Sequence, residues 1–418
     1  MNENISCMHY FDMSKLYYFS KKPGIGGKIK ATPEDFIVEE ITTDGSVLSI
    51  DKIFSRKDEE GSFTHFILQK RSWTTEGALR RIGDALGVGK KRFSYAGSKD
   101  KNAFTTQLVS AYKVAKEDLL SLKLKDIKIL GAWYAKDKVH LGELLGNRFT
   151  IRVVDVKEKE PSKKIKKIAN EIKMHFPNYF GPQRFGSSRK NTDTVGEFLI
   201  RGRPDLAVME FLTGSCELEE REEAKVARLN LSKTNDFSLA LKEFPKSLKL
   251  ERSILYHLSK YPRDYAGALR CLPRQTLLLF VHAFQSRLFN ILLSERIKEG
   301  EIKKEEGEYY CGEKLGFPDI NKKEEKKRKS TYLVGKIIGY ETKINEREKN
   351  LLLRFGIKPQ DFKISFIPEI STKGGYRLLF APLKDFSFKD NTFIFSLPAG
   401  SYATVALREF LDVNKEVV

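Results

Sequence analysis

The sequence predicts an α+β protein: a mainly antiparallel sheet domain whose chain is interrupted by a helix-rich block. Three observations carry this. Strand-like and helix-like stretches with hairpin-compatible connections fill the chain up to about residue 187. Residues 191–260 are then helical in pattern and densely charged. From Lys373 the two-residue alternation of strands returns. At 418 residues the chain is long for one core. Residues 1–177 and 371–418 are therefore assigned to the sheet domain, and 178–370 to the inserted helical domain.

Taken in order, residues 1–28 are irregular and end in a Gly-Ile-Gly-Gly-Lys turn without Walker spacing. Phe36 to Ile41 and Phe63 to Gln69 read as strands. Thr74 to Leu86 reads as a helix, because Leu79, Ile82 and Leu86 share a face, Thr74 or Thr75 can cap it, and Gly87 stops it. Ile127 to Trp133 and Arg148 to Val156 are further strands, the second with Phe149, Ile151 and Val153 alternating. Pro161 to His175 reads as a basic amphipathic helix. Arg274 to Lys298 reads as one long helix with a stripe of Leu277, Val281, Phe284, Leu288, Ile291 and Leu292. The charge run 321–329 reads as a loop, and Glu341 to Phe355 as a helix. Tyr376 to Phe380 and Thr392 to Leu397 are strands, and Ala403 to Leu411 a closing helix.

Charge narrows the partner. The formal net charge is +19, which favours a polyanion such as nucleic acid. Cys7, Cys216, Cys271 and Cys311 are scattered, so neither a disulfide framework nor a zinc ribbon is indicated and a reducing cytoplasmic setting is expected. The apolar run Leu277 to Phe284 is too short to span a bilayer, and no membrane partner is expected. No His-Glu-x-x-His, Cys/His pairing, Gly-x-Ser-x-Gly or Gly-x-Gly-x-x-Gly element appears, so no metal and no cofactor are expected.

What remains is a carboxylate loop, Ala96 to Thr106, between two strand-like stretches. Its Gly-Ser-Lys-Asp-Lys-Asn centre is turn chemistry, and a solvated hairpin turn accounts for it as composition. It also projects Asp100 between Lys99 and Lys101, whose ammonium groups favour the ionised carboxylate that a nucleophile or base needs.

The segment Tyr95-Ala-Gly-Ser-Lys-Asp-Lys-Asn-Ala-Phe-Thr-Thr-Gln107 resembles the catalytic motif of the tRNA pseudouridine synthase D (TruD) family. Lys30-Ala-Thr-Pro-Glu-Asp-Phe-Ile-Val-Glu-Glu40, Gly142-Glu-Leu-Leu-Gly-Asn-Arg-Phe149, Asn178-Tyr-Phe-Gly-Pro-Gln-Arg-Phe-Gly186 and Leu397-Pro-Ala-Gly-Ser-Tyr-Ala-Thr404 match in order and spacing. Ser98 and Pro182 depart from the usual pattern, and 190–370 matches loosely, with a length and basicity similar to archaeal members.

The resemblance implies a pseudouridine-synthase catalytic domain with an inserted TRUD domain, acting as an isomerase on tRNA at a D-arm uridine, position 13. It implies Asp100 as the catalytic carboxylate, nucleophile or base, and Lys30 as its ion-pair partner. Phe36 and Phe149 would pack on the uracil, Asn147 would meet its edge, and Tyr402 would contribute a ring. Lys99, Lys101, Arg92, Arg148 and Arg184 are candidate RNA contacts. Tyr179, Phe180 and Phe185 are expected to be packing residues. No protein partner is indicated, and a monomer is the working expectation. Two rival readings are a non-catalytic RNA-binding protein of this fold and a metal-dependent nuclease using Asp35, Glu39 and Glu40.

Overall fold

The first predicted strand, Phe36–Ile41 (β1), forms over those residues and lies near the centre of the main sheet. The computed structural model describes residues 11–186, 189–214, 218–219, 221–300, 302–324 and 331–412. After β1 come β2 (Phe63–Arg71), α1 (Thr75–Leu86), β3 (Phe93–Tyr95), β4 (Phe104–Tyr112), α2 (Lys116–Ser121) and β5 (Ile127–Ala135). Then follow β6 (Gly146–Arg152), α3 (Pro161–Glu171) and β7 (His175–Pro177). The helical stretch holds α4 (Thr192–Ile200), α5 (Pro204–Thr213), α6 (Glu222–Thr234), α7 (Phe237–Glu243), α8 (Lys249–Lys260), α9 (Tyr265–Arg270) and α10 (Arg274–Glu299). It continues through β8 (Tyr309–Lys314), β9 (Phe317–Glu324), β10 (Tyr332–Ile337), α11 (Glu346–Arg354) and β11 (Gly375–Leu378). The chain closes with β12 (Phe380–Pro382), β13 (Lys384–Lys389), β14 (Thr392–Pro398) and α12 (Ala403–Leu411).

Two compact units result. One gathers Phe19–Asn178, Gly312–Lys322 and the chain from Phe380 onward; the other gathers the N-terminal stretch up to Tyr18, Tyr179–Cys311 and Lys323–Leu379. One boundary falls between Asn178 and Tyr179. Three segments differ from the sequence-based assignment, each for a local reason. Residues 11–18 go with the helices, because Tyr17 N–H donates to Ser294 Oγ and Tyr179 Oη donates to the Tyr17 carbonyl. Residues 371–379 go with them because β11 pairs with β10. Gly312–Lys322 goes with the sheet, where Lys384 Nζ donates to the Gly316 carbonyl.

The main sheet runs β13-β14-β6-β1-β4-β2-β5, with β3 on β4, and is antiparallel except between β1 and β4. Register sorts its side chains by face. Phe36, Val38 and Glu40 lie opposite Ile151, Phe149 and Asn147 on β6, so these six share a face. Val38 also pairs with Thr105, and Lys70 of β2 pairs with Thr105 in turn, which brings Thr105, Gln107 and Lys70 to that face. Part of it is covered by α1, packing Leu79 and Ile82 on Phe66, Leu68 and Val109. Elsewhere Phe410 of α12 stacks on Phe386 and packs on Phe393. The opposite face buries Leu48, Ile67, Leu130 and Trp133.

Thr74 caps α1 through Gly77 N–H, and Gly87 ends it at φ 67°. The basic helix α3 ends at Glu171, not His175, because Lys173 and Met174 take left-handed φ of 50° and 56° and turn the chain into β7. The later helix starts at Glu346, where Asn345 and Glu348 form a capping box. The charge run expected as a loop is strand β9 as far as Glu324; its remainder lies outside the described residues. Cys7 and Cys216 also lie outside them, while Cys271 is an exposed and Cys311 a buried cysteine.

In the helical unit α10 is the core. By length and composition it could cross a membrane, yet 67% of its most apolar window is buried inside the protein. Tyr179, Phe180 and Phe185 are buried, as packing residues should be. Asn290 on α10 holds Phe180 by both backbone groups, accepting from its N–H at 2.8 Å and donating to its carbonyl at 3.0 Å. Arg377 lies 3.9 Å from the centre of the Phe180 ring. Asn290→Ala strands two buried backbone groups, so we expect a loss of about 3 kcal/mol, read from the urea transition of the helical unit; a loss below ~1 kcal/mol would refute the clamp.

Candidate active site

Asp100 sits on the loop between β3 and β4, and the loop is fixed to the sheet from both sides. Before Asp100, the Gly97 carbonyl accepts from Gln107 Nε2 at 3.1 Å. Lys99 N–H donates to Thr75 Oγ1, which itself donates to Gln107 Oε1. At Asp100 the peptide carbonyl accepts from Lys70 Nζ at 2.8 Å. The carboxylate is paired separately: Lys30 Nζ lies 2.6 Å from Asp100 Oδ2, both side chains about a quarter exposed, at 21% and 30%. Lys30 holds φ 60°, an uncommon conformation outside glycine, just ahead of the turn into β1. Its ammonium also stands 4.3 Å over the Phe36 ring.

A second ion pair lies behind the first. Lys99, adjacent in sequence to Asp100, turns inward: its ammonium is 2.7 Å from Glu40 Oε2 and donates to Asn147 Oδ1 at 2.8 Å. Lys99 is buried, so it is not a surface RNA contact as expected from sequence. An ammonium has donors alone, so Asn147 must offer it Oδ1, and the amide's NH₂ group keeps its two donors for other partners. Gly146 permits the strand beneath: a Cβ there would come within 2.1 Å of the Leu397 carbonyl. Leu397 faces Asn147 across the sheet, and the turn after Pro398 leads to Tyr402 at the N-cap of α12.

The other expected residues separate. Phe36 and Phe149 are both buried, 6.2 Å apart edge to face, and Phe149 also packs on Phe395. Phe36 therefore supports Lys30 with its ring. Arg148 points to the opposite face from Asn147, one residue away, and pairs with Glu39 at 3.0 Å. Arg92 donates to the Lys113 carbonyl beyond the far end of β4, about 30 Å of strand from where the Asp100 loop enters it. Lys101 is exposed on the loop itself. Arg184 belongs to the helical unit, where it lies 5.4 Å from the Phe180 ring. Asp35, Glu39 and Glu40 do not converge: Arg152, Arg148 and Lys99 respectively neutralise them. Among the described residues no group of His, Cys, Asp and Glu is placed to hold a metal ion.

Lys70 went unnoticed in the sequence. It is fully buried, and its ammonium donates to the Trp73 and Asp100 carbonyls at 2.6 and 2.8 Å. The signal was a lysine following Phe66 and Leu68 at two-residue spacing, at a position whose alternation faces inward. Burial lowers its pKa to about 8; the Asp100 charge opposes that shift and the Lys99 charge adds to it.

Fold and site together give an α+β protein whose main sheet presents an ion-paired carboxylate on a loop between two strands. The chain matches the tRNA pseudouridine synthase D (TruD) family over residues 12–410 and belongs to that family. An Archaeoglobus fulgidus protein described as a "probable tRNA pseudouridine synthase D" is 37% identical over 95% of this chain and 97% of its own length. A Pyrococcus abyssi protein of the same description is 36% identical, covering 95% and 99%. A crystal structure from Methanosarcina mazei that carries the TruD name superposes with TM-score 0.74 at 33% identity, over 95% of this chain and 96% of that one.

The buried ammonium gives a pH prediction. The folded-state pKa of Lys70, about 8, lies below its ordinary 10.5, so between those values the unfolded chain binds more protons. Stability from this group must therefore rise across that window. We expect wild type to gain up to about 3 kcal/mol relative to Lys70→Met between about pH 8 and about pH 10, measured by urea unfolding. A constant difference across the window would show that Lys70 titrates normally.

Proposed function

We propose that this protein isomerises uridine to pseudouridine in tRNA, at the D-arm uridine of position 13, with Asp100 as the catalytic carboxylate. The observation that carries the reading is the Lys30–Asp100 ion pair, on a loop that carries the family motif. The C1′–N1 bond of uridine breaks, the freed uracil turns, and a C1′–C5 bond forms; the C5 proton is lost and N1 gains one. Product and substrate are isomers, so electrons balance within the nucleotide. Asp100 can attack the sugar as nucleophile or remove a sugar proton as base. Either role needs the anion, and the Lys30 ammonium favours it while fixing one oxygen.

The neighbours fit a flipped-out base. The Asn147 NH₂ group is oriented by Lys99 to donate to a uracil carbonyl. The space around the Gly97 Cα is open, which leaves the loop backbone approachable by a nucleotide. Tyr402 supplies an aromatic ring at the start of α12. Phe36 and Phe149 form the apolar floor below Lys30.

Asp100→Asn is expected to abolish pseudouridine formation on unmodified tRNA transcripts in excess chelator, with binding kept within about tenfold. Site mapping of the wild-type product reads the position. Lys30→Met should lower kcat by roughly 100-fold or more with little change in KM, since its partner acts in the chemical step. Turnover by Asp100→Asn, or a collapse of its tRNA binding, overturns the assignment.

A further inference from the structure

Helix α3 carries a charge pattern that the proposed chemistry does not use. Between residues 157 and 173 the chain holds Lys157, Lys159, Lys163, Lys164, Lys166, Lys167 and Lys173 against Glu158, Glu160 and Glu171. All three glutamates are committed locally. Glu158 pairs with Lys164 at 2.7 Å and Glu160 with Lys163 at 3.3 Å. Glu171 accepts from Ser20 Oγ and Lys21 N–H and pairs with Lys22. Among the described residues no carboxylate lies within ion-pair distance of Lys159, Lys166, Lys167 or Lys173, and all four are exposed. Lys163, Lys166, Lys167 and Asn170 follow the i, i+3, i+4, i+7 spacing of one helix face. Lys159 lies before that stripe and Lys173 after it.

We propose that this outer face of α3 binds the sugar–phosphate backbone of the RNA substrate, as a sequence-independent docking stripe. The proposal rests on the tRNA reading above. Placement supports it: α3 packs against α12 and β13, and α12 packs on the sheet face that carries Asn147 and Phe149. Flexible lysines without planar forks suit phosphate contacts that position a strand without reading bases. An anionic bilayer is the weaker partner. A membrane-surface helix inserts an apolar face, whereas Ile165, Ile168 and Ile172 of α3 are buried inside the protein.

The test uses the full chain and unmodified tRNA transcript. In Lys166→Gln/Lys167→Gln/Lys173→Gln, each lost phosphate contact should flatten the log Kd against log salt plot by about 0.7–0.9, so by about 2.1–2.7 if all three touch phosphate. Affinity at ~0.1 M salt should fall roughly tenfold, KM should rise in step, and kcat at saturating tRNA should stay unchanged. Exposed Lys123 and Lys125, changed together to Gln, serve as the charge control and should leave binding nearly as in wild type. An unchanged slope in the triple variant overturns the proposal. So does an equal loss in the control, which would mean net charge alone. Loss of binding to vesicles of phosphatidylcholine and phosphatidylserine in equal parts, with tRNA binding intact, would assign the stripe to a membrane instead. Binding is read apart from turnover, so a wild type that binds tRNA through the stripe without forming pseudouridine would defeat the proposed activity alone.

Discussion

The buried pair between Lys99 and Glu40 is the contact on which the rest of the site depends. It joins the Asp100 loop to β1, and through Asn147 to β6. Two charges this deep, at 5% and 1% exposure, give little net stability, because desolvation offsets much of their attraction. Their consequence is specificity of position. With Lys99 drawn inward, the next residue along the loop projects its carboxylate the other way, toward Lys30. Neither lysine can exchange roles: one has Glu40 and an amide oxygen to satisfy, the other an aspartate and the face of Phe36. Lys70 then fixes the Asp100 peptide from below. Three ammonium groups thus surround one short loop, each held by a different set of acceptors.

That division of labour was only partly legible in the sequence. Asp100 and Lys30 came from motif resemblance, and the structure brings them into contact. Lys99 read as a surface cation because local composition cannot tell a solvated lysine from one turned toward a carboxylate 59 positions earlier (99 minus 40). Arg148 read as a site residue by adjacency to Asn147, yet adjacency on a strand places neighbours on opposite faces. The alternation that predicted the strand already contained that separation. Arg92 read as near because few residues separate it from Asp100, whereas β3 carries it to the far end of β4. Lys70 needed the β2–β4 register, which a single sequence does not contain.

The fold divides along the same line. Strands with clean alternation and helices with caps were readable to within a residue or a few: β1, α1, α10, β14 and α12 all depend on local pattern. The strands β8, β9 and β10 were not, because the segments are short and mix glycine or proline with polar residues, β9 with three acidic or basic side chains in its last half, so local pattern does not separate them from loop. They acquire strand geometry through pairing, as Val334 of β10 does between Tyr309 and Leu378. Long-range pairing also decides the unit boundaries, which is why residues 371–379 follow β10 and not the sheet strands that come after them.

Read as electrostatics, the sheet unit separates two uses of lysine. Inside, Lys70 and Lys99 are desolvated and bound to specific acceptors, so each orients one group and neither can screen a phosphate. Outside, on α3 and just beyond its two ends, the ammonium groups of Lys166, Lys167, Lys159 and Lys173 keep their water and their freedom. Released counterions, rather than geometry, give such groups their affinity, and that affinity decays with salt. A substrate held by the second kind, at a site positioned by the first, should show binding that is steeply salt-dependent and chemistry that is not. The chain's net charge of +19 is therefore not one property with one purpose. Its buried Lys70 and Lys99 hold the Asp100 loop in place, while exposed lysines such as those of α3 are free to attract a polyanion.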